Sequence, residues 1–176
     1  MKDSLTTIDV IFSRKSVRHY TPELVSNEIL SDIVKAGMAA PTANNKQPWS
    51  FIIITNRMTL NKLAESLPFA KMLFFAPAAI VVCAVPALSG DEQSIEYSVI
   101  DCSAATQNIL LAIEHYGLGG VWTAVYPREK RITNTRSVLG IPDDIIPFSI
   151  IPLGYSAVKD EPKDKWKPER IHWEKW

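Results

Sequence analysis

The chain has 176 residues, of which 47% are hydrophobic, and its 19 Lys and Arg side chains balance 19 Asp and Glu side chains. This length predicts a single domain over residues 1–176, with 156–176 forming an extended C-terminal tail. A balanced charge provides no overall field that would attract nucleic acid or an anionic membrane, so we expect neither as a partner. We expect no membrane-spanning segment, and residues 1–4 do not begin a signal-peptide pattern, which together predict a cytoplasmic protein.

Helical and strand patterns alternate along the chain. In the first half, apolar spacing and β-branched runs predict helices over 7–13, 26–40 and 57–67 and buried strands over 50–55 and 78–85. Ser26 suits the N-cap of the second helix. The second half predicts a long amphipathic helix over 94–116 that stops at Gly117, a strand over 119–125, a helix over 128–139 and a strand over 148–153. Strands separated by helices predict a mixed sheet covered on both faces, as in α/β or α+β proteins.

The segment 14–18 places two guanidinium groups and a hydroxyl within five residues, directly after the first helix. If this backbone is extended, Arg14, Ser16 and Arg18 share one face, because side chains alternate along a strand. An Arg fork and a Ser hydroxyl suit a phosphate. A basic cluster at the end of a helix also complements the helix dipole, so both interpretations stay open at this point.

Each of three other stretches can be interpreted either as a ligand-binding segment or as a purely structural one. Loop 40–49 offers amide and hydroxyl groups between two prolines, and it also reads as the exit of a helix. The glycines of 117–123 allow a flat ligand to approach the backbone, but they follow a helix and precede a strand, the reverse of the dinucleotide-binding order. The alternating lysines of 163–167 lie in a charged tail that is typically solvated.

The cysteines and histidines do not form a recognisable catalytic or metal pattern. Cys83 lies in an apolar run and Cys102 in the long helix, and neither has a metal-ligand neighbour at the usual spacing, so both are predicted to be buried free thiols. His19, His115 and His172 stand alone in the sequence. We therefore predict no metal site and name no catalytic side chain.

Taken together and in this order, these segments resemble the nitroreductase family of flavin oxidoreductases over nearly the whole chain. The resemblance lies in RKSVRHY at 14–20, APTANNKQPWSF at 40–51, GLGGVW at 117–122 and LGY at 153–155, followed by a basic tail. It implies an α+β three-layer sandwich, with a mixed, mainly antiparallel sheet flanked by helices. It also implies an interlocked homodimer that binds two flavin mononucleotides (FMN) at the subunit interface.

The resemblance further implies roles for individual residues. Arg14 and Ser16 would bind the FMN phosphate with Lys165 of the tail, for which Lys163 and Lys167 are alternatives, and Lys15 is counted with the cofactor-binding residues. Arg18 would lie beside the N1 and C2 carbonyl edge of the ring, where a cation stabilises the reduced flavin. A second chain would cover the ribityl chain and ring with Pro41, Thr42, Ala43, Asn45 and Gln47. The ring face and a backbone amide near N5 would come from Val121, Trp122 and Thr123.

The implied activity is a two-step transfer at one site. NAD(P)H would give a hydride to flavin N5 and leave, and a small electron-poor aromatic acceptor such as a nitroaromatic or quinone would take its place. The chain has little between 122 and 128 or between 67 and 77 from which to build a lid, which favours an open site. A flavin-binding module for storage or sensing, and a relative of reductive dehalogenases, remain as alternatives.

Overall fold

The computed structural model describes residues 6–90 and 94–176, so the first four residues, on which the signal-peptide argument rests, lie outside it. Its helices are α1 Thr7–Ser13, α2 Asn27–Met38, α3 Arg57–Ser66, α4 Ser94–His115 and α5 Glu129–Leu139. Its strands are β1 Trp49–Ile54, β2 Ala78–Ala84, β3 Gly119–Gly120, β4 Thr123–Ala124 and β5 Ile146–Gly154. The predicted elements are present with ends that differ by about two residues at most, except for the strand predicted over 119–125.

Local hydrogen bonds explain where the helices begin and end. The Ser26 hydroxyl accepts from the Ile29 N–H at 3.3 Å, which confirms the predicted N-cap of α2. At the end of α4, Gly117 adopts a φ of +69°, and the Leu118 N–H donates back to the Ile113 carbonyl at 3.0 Å. Within the described ranges, no helix is both long and apolar enough to cross a membrane.

The five strands form one sheet in which β5 is central. The order is β1-β2-β5-β3, and β4 pairs with β5 on the same side as β3. All these strand pairs are antiparallel, and the parallel component is an isolated bridge between Ser16 and Gly120. The sheet is thus mainly antiparallel, as the resemblance implied.

Helices cover both faces of the sheet, and β2 shows how. Its residues Ala78, Ile80, Val82 and Ala84 pack in a cluster with buried residues of α2 and α4. The alternate residues Ala79, Val81 and Cys83 pack with buried residues of α3 and α5. Because side chains alternate along a strand, each face receives its own helix pair, which makes an α+β three-layer sandwich.

The prediction that β1 is buried is wrong for most of its length. Among the described strands β1 pairs with β2 alone, so it forms an edge of the sheet. Ser50 and Ile53 are exposed, and only the end residues Trp49 and Ile54 are buried. A run of β-branched residues indicates a strand, but it does not reveal whether the strand has one neighbour or two.

The strand predicted over 119–125 is interrupted. β3 and β4 keep a common register against β5, which places Val121 opposite Pro152. The Val121 N–H donates to the Pro152 carbonyl at 3.3 Å, but proline has no N–H to return the bond. The ladder therefore breaks at residues 121 and 122 and resumes at Thr123.

Candidate functional site

The segment 14–18 leaves α1 and runs in extended form beside β3. The Val17 side chain is 1% exposed, and its N–H donates to the Gly120 carbonyl at 3.0 Å. Because side chains alternate, burial of Val17 turns Ser16 and Arg18 to the opposite side, where both are exposed. The predicted common face of 14–18 is present in the structure.

A close packing contact and a buried hydroxyl hold this segment against the sheet. A Cβ on Gly119 would lie 2.6 Å from the Val17 Cβ, so only glycine permits this approach. The buried Tyr20 hydroxyl lies 2.7 Å from the Val17 carbonyl and 3.0 Å from the Pro152 carbonyl, and it donates its proton to one or the other. Burial raises the pKa of Tyr20 far above its usual value, so the hydroxyl remains a donor.

These outward side chains line a cavity of about 400 Å³, which we call the cationic cavity. The tail forms its other wall, and the full lining is Arg14, Lys15, Ser16, Arg18, Asp160, Glu161, Lys163 and Lys165. Lys165 and its alternative Lys163 both reach the cavity, whereas Lys167 is not part of its lining. Residues from the two ends of the chain thus face one small volume.

The charges of the cavity are largely available to a ligand. Lys15 pairs with Glu114 of α4 at 3.9 Å, which links the segment to that helix. Asp160 and Glu161 were not identified from the sequence, because their place in a charged tail gave no distinguishing signal. Within the described part of the chain, no ion pair within 4.0 Å joins either carboxylate to a cation of the cavity. Arg14, Arg18 and the tail lysines therefore retain donors that can face an anion.

A second volume of about 620 Å³ continues from the cationic cavity beneath the tail. It shares Arg14, Lys163 and Lys165 with the first cavity and adds the apolar side chains of Ile11, Phe12 and Trp166. A ligand with an anionic end and a flat apolar part could therefore have both parts in contact with this region.

The segment predicted to line a ring lies beside the cavity without forming its wall. It directly follows Gly120, which bridges to Ser16. Val121 and Thr123 have buried side chains, and Trp122 is half-buried against Phe148 with ring centroids 5.5 Å apart. The Val121 N–H already donates to Pro152, so this amide is not free to bind a ligand. The Thr123 hydroxyl is likewise engaged, because it donates to the Ile150 carbonyl at 2.5 Å.

Loop 41–47, which we call the amide loop, connects α2 to β1 away from the cationic cavity. None of its residues lines that cavity, including the five predicted site residues Pro41, Thr42, Ala43, Asn45 and Gln47. It contains a 3₁₀ turn over Ala43–Asn45 and is largely exposed. One chain therefore does not bring the amide loop and the cationic residues into one lining.

Asp101 of α4 contacts the amide loop and was not identified from the sequence. Its two carboxylate oxygens accept the Ala43 N–H at 3.2 and 3.3 Å, and the residue is 5% exposed. Burial raises the pKa of Asp101, and the bond from Ala43 opposes that change. Helical spacing could have indicated that this carboxylate is buried, because Asp101 lies three residues after Ser98 and four before Ala105 on the buried face of α4.

Comparison with known proteins decides the family. The model of the Nitroreductase family matches residues 11–70 and 66–155. The chain belongs to the nitroreductase family. An Archaeoglobus fulgidus protein is 48% identical over 172 residues, which cover 96% of this chain and 98% of the relative, and its name provisionally assigns NADH dehydrogenase and NAD(P)H nitroreductase activity.

Solved structures of nitroreductases agree. A Parabacteroides distasonis protein with the same provisional name has a TM-score of 0.90 at 46% identity, covering 97% of this chain and 98% of its own. An FMN-dependent nitroreductase from Clostridium difficile has a TM-score of 0.86 at 26% identity, covering 96% and 99%. The fold class is thereby confirmed, and the protein is an oxidoreductase of this NAD(P)H-linked family.

The histidines and cysteines of the chain lie outside the cationic cavity. His19, His115 and His172 are exposed and do not line it. Cys83 and Cys102 are buried and unpaired with each other, and burial raises the pKa of Cys83 to about 12. The cations and the hydroxyl that line the cavity can bind and orient an anion, and Asp160 and Glu161 are the acidic side chains of the lining.

Proposed function

We propose that this nitroreductase binds FMN through the cationic cavity and uses it to transfer electrons from NAD(P)H to a small electron-poor aromatic acceptor. The observation that carries the proposal is the convergence of Arg14, Ser16 and Arg18 with tail lysines on one small cavity. The fit to a phosphate is chemical as well as spatial, because guanidinium forks and a hydroxyl are the donors that phosphate oxygens accept.

The residues around the cavity would divide the binding of FMN between them. Arg14, Ser16 and Lys165 would hold the phosphate, with Lys163 as the alternative from the tail and Lys15 beside them. Arg18 would offer its charge to the ring edge that becomes negative on reduction. Trp122 follows the Ser16–Gly120 bridge by two residues and is half-buried, which supports a place for it beside the ring.

The second half of the proposed pocket would come from another copy of the chain. The amide loop does not reach the cationic cavity of its own chain, so its five predicted residues would serve the cavity of the partner. Large apolar side chains support such an assembly, because Phe12 of α1 is 72% exposed and Ile100 of α4 is 62% exposed. We therefore propose a homodimer with two shared sites.

Bound FMN would supply the redox chemistry, accepting a hydride from a reduced nicotinamide and returning electrons to the acceptor. The chain's own residues would bind the cofactor, orient it and place a cation near its developing charge. No side chain of the cavity need act as acid or base in this scheme. Only residues 125–128 separate β4 from α5, which leaves little chain for a lid and supports a broad acceptor range.

Release and identification of the cofactor test this proposal. Purified protein should be yellow, and heating should release FMN that chromatography separates from the adenine dinucleotide form. In a separate sample of the intact protein, anaerobic addition of NADH or NADPH should bleach the bound flavin within seconds, and a quinone or nitroaromatic should restore its colour. Recovery of no FMN would overturn the cofactor assignment, whereas bound FMN that neither nicotinamide reduces would indicate a storage or sensing module.

A further inference from the structure

The amide loop has a backbone shape that needs to be held in place. Asn44, Asn45 and Gln47 have φ values of 49°, 55° and 50°, a left-handed conformation that is uncommon for residues other than glycine. Side-chain hydrogen bonds within the loop support this shape. The Gln47 N–H donates to the Thr42 hydroxyl at 3.1 Å, and the Gln47 side-chain amide donates to the Asn45 side-chain oxygen at 3.2 Å.

One side chain from outside the loop also holds it. Among the described residues, Asp101 is the single side chain beyond 41–47 that hydrogen-bonds to the loop, and it does so at Ala43, where the 3₁₀ turn begins. Both carboxylate oxygens lie within 3.3 Å of the same backbone nitrogen, so the bond fixes the position of that peptide relative to α4. A charged acceptor makes such a bond stronger than a neutral one.

Burial of this carboxylate works against folding stability. Asp101 is 5% exposed and has no cation within ion-pair distance among the described residues. Desolvation of an unpaired carboxylate is unfavourable, and a neutral or apolar side chain would suit the buried face of α4 better. Core packing therefore does not explain why a carboxylate occupies this position. The hydrogen bond to the Ala43 N–H does, because it is an interaction that a negatively charged acceptor strengthens.

We propose that Asp101 is a positioning residue that holds the amide loop in the shape needed to cover the flavin in the second subunit. This inference rests on the proposed function, because it assigns the loop to a flavin pocket. It adds a residue that does not contact the cofactor and acts only through the backbone at Ala43.

The test compares Asp101→Ala and Asp101→Asn with the parent protein and with Glu96→Gln, which removes an exposed charge from the same helix. FMN affinity is measured by quenching of flavin fluorescence, and hydrogen exchange is followed in residues 41–48. We expect Asp101→Ala to weaken FMN binding about tenfold or more, since a bond to a charged group is lost. The side-chain amide oxygen of an asparagine at this position still accepts one bond, so Asp101→Asn should retain most of the affinity. Glu96→Gln should bind FMN like the parent.

Hydrogen exchange separates positioning from general destabilisation. Exchange in 41–48 should accelerate in Asp101→Ala while exchange in β2 stays slow. Parent-like FMN binding by Asp101→Ala would overturn this proposal and leave the proposed function intact. A parent protein that binds no FMN would remove the proposed function, and this inference with it. If the Ala variant does not fold, Asp101→Leu decides, because leucine has a similar size, suits a buried position and offers no acceptor to the Ala43 N–H: faster loop exchange than in the parent supports the role, and identical exchange overturns it.

Discussion

Arg14 and Arg18 line the same cavity but differ in their surroundings. Arg14 follows the last residue of α1 and is half-buried, and its N–H caps the helix by donating to the Val10 carbonyl at 3.2 Å. Arg18 is exposed, and its guanidinium makes one long contact of 3.5 Å to the Ser16 carbonyl. The two cations are therefore expected to serve the ligand differently.

Truncation of these two arginines should separate affinity from redox potential. Arg14→Ala is expected to weaken FMN binding about ten- to a hundredfold with the fold retained, because one charged partner of the phosphate is lost. Arg18→Ala should lower the reduction potential of the bound flavin more than its affinity. Flavin titration and spectroelectrochemistry measure the two effects, and the exposed Arg128→Ala serves as the control. If both cavity variants bind FMN like the parent, segment 14–18 is not the phosphate site.

The buried carboxyl of Asp101 predicts a pH dependence of stability. Desolvation raises its pKa in the folded state above the usual 3.8. At pH values between the pKa of the unfolded state and that of the folded state, the folded protein therefore binds more protons at this carboxyl than the unfolded protein does. Folding stability supplied by the protonated form is thus lost as pH rises through the folded pKa. Nearby Cys102 does not titrate in this range, because burial also raises its pKa.

Asp101→Asn removes this titration. We compare the unfolding free energies of the flavin-free proteins and take the difference as the value for the Asn variant minus the value for the parent. We expect this difference to increase as pH rises from about 4 towards neutrality. Urea unfolding at a series of pH values measures the difference. A difference that stayed constant or shrank with rising pH would contradict a raised pKa for Asp101 in the folded state.

Among the elements, helix α2 leads directly into the amide loop, so the stability of this helix affects how firmly the loop is held. The helix begins with the Ser26 cap and contributes the buried residues Leu30, Ile33, Val34 and Gly37 to the layer shared with α4. Close approach of the two helices depends on Gly37, because a Cβ there would lie 2.8 Å from Ile109. The start of α2 is set by a local bond, whereas its packing is set by α4.

Removal of the cap should therefore have a measurable cost. Ser26→Ala is expected to lower the unfolding free energy by about 1 kcal/mol, since one N–H of the first turn loses its acceptor. Ser31 lies in the same helix, is exposed and donates back to the Asn27 carbonyl at 2.8 Å. Ser31→Ala should change stability by less than about 0.5 kcal/mol, because alanine favours the helix interior. Equal losses for the two variants in urea unfolding would argue against the cap.

On the scale of the whole molecule, the proposed homodimer predicts that assembly and cofactor binding depend on each other. A pocket completed by the amide loop of a second chain exists only in the dimer, so FMN should raise the melting temperature. Sedimentation at micromolar concentration should show twice the mass of the chain, with an interface of about 2,000 Å² or more. A monomer that still bound FMN would refute the shared site.

A charge on the exposed apolar face tests that coupling directly. Ile100→Glu on α4 should weaken the dimer and lower FMN affinity together, because a charge in an apolar interface is poorly solvated. Met58 is 71% exposed on α3, in the opposite helical layer, and provides the matched control. Met58→Glu should leave both the mass and the affinity unchanged. Loss of the dimer without loss of FMN would separate the two properties and contradict the shared pocket.

Local sequence patterns were sufficient to predict most of the elements and the family. They predicted the helix ends closely, because caps such as Ser26 and stops such as Gly117 act within a few residues. The alternation of Arg14, Ser16 and Arg18 followed from the same short-range geometry. The order of four motifs then indicated the nitroreductase family, which the comparisons confirmed.

Features that depend on distant partners emerged only once the chain was folded. The edge position of β1 and the break at Val121 follow from which strand lies alongside, and proline at 152 matters only because it faces residue 121. The presence of Lys163, Lys165 and the two tail carboxylates in the cavity lining, and the contact of Asp101 with Ala43, arise in the same way. Such contacts join residues far apart in the chain, and their geometry is set by packing of the whole core rather than by any local pattern.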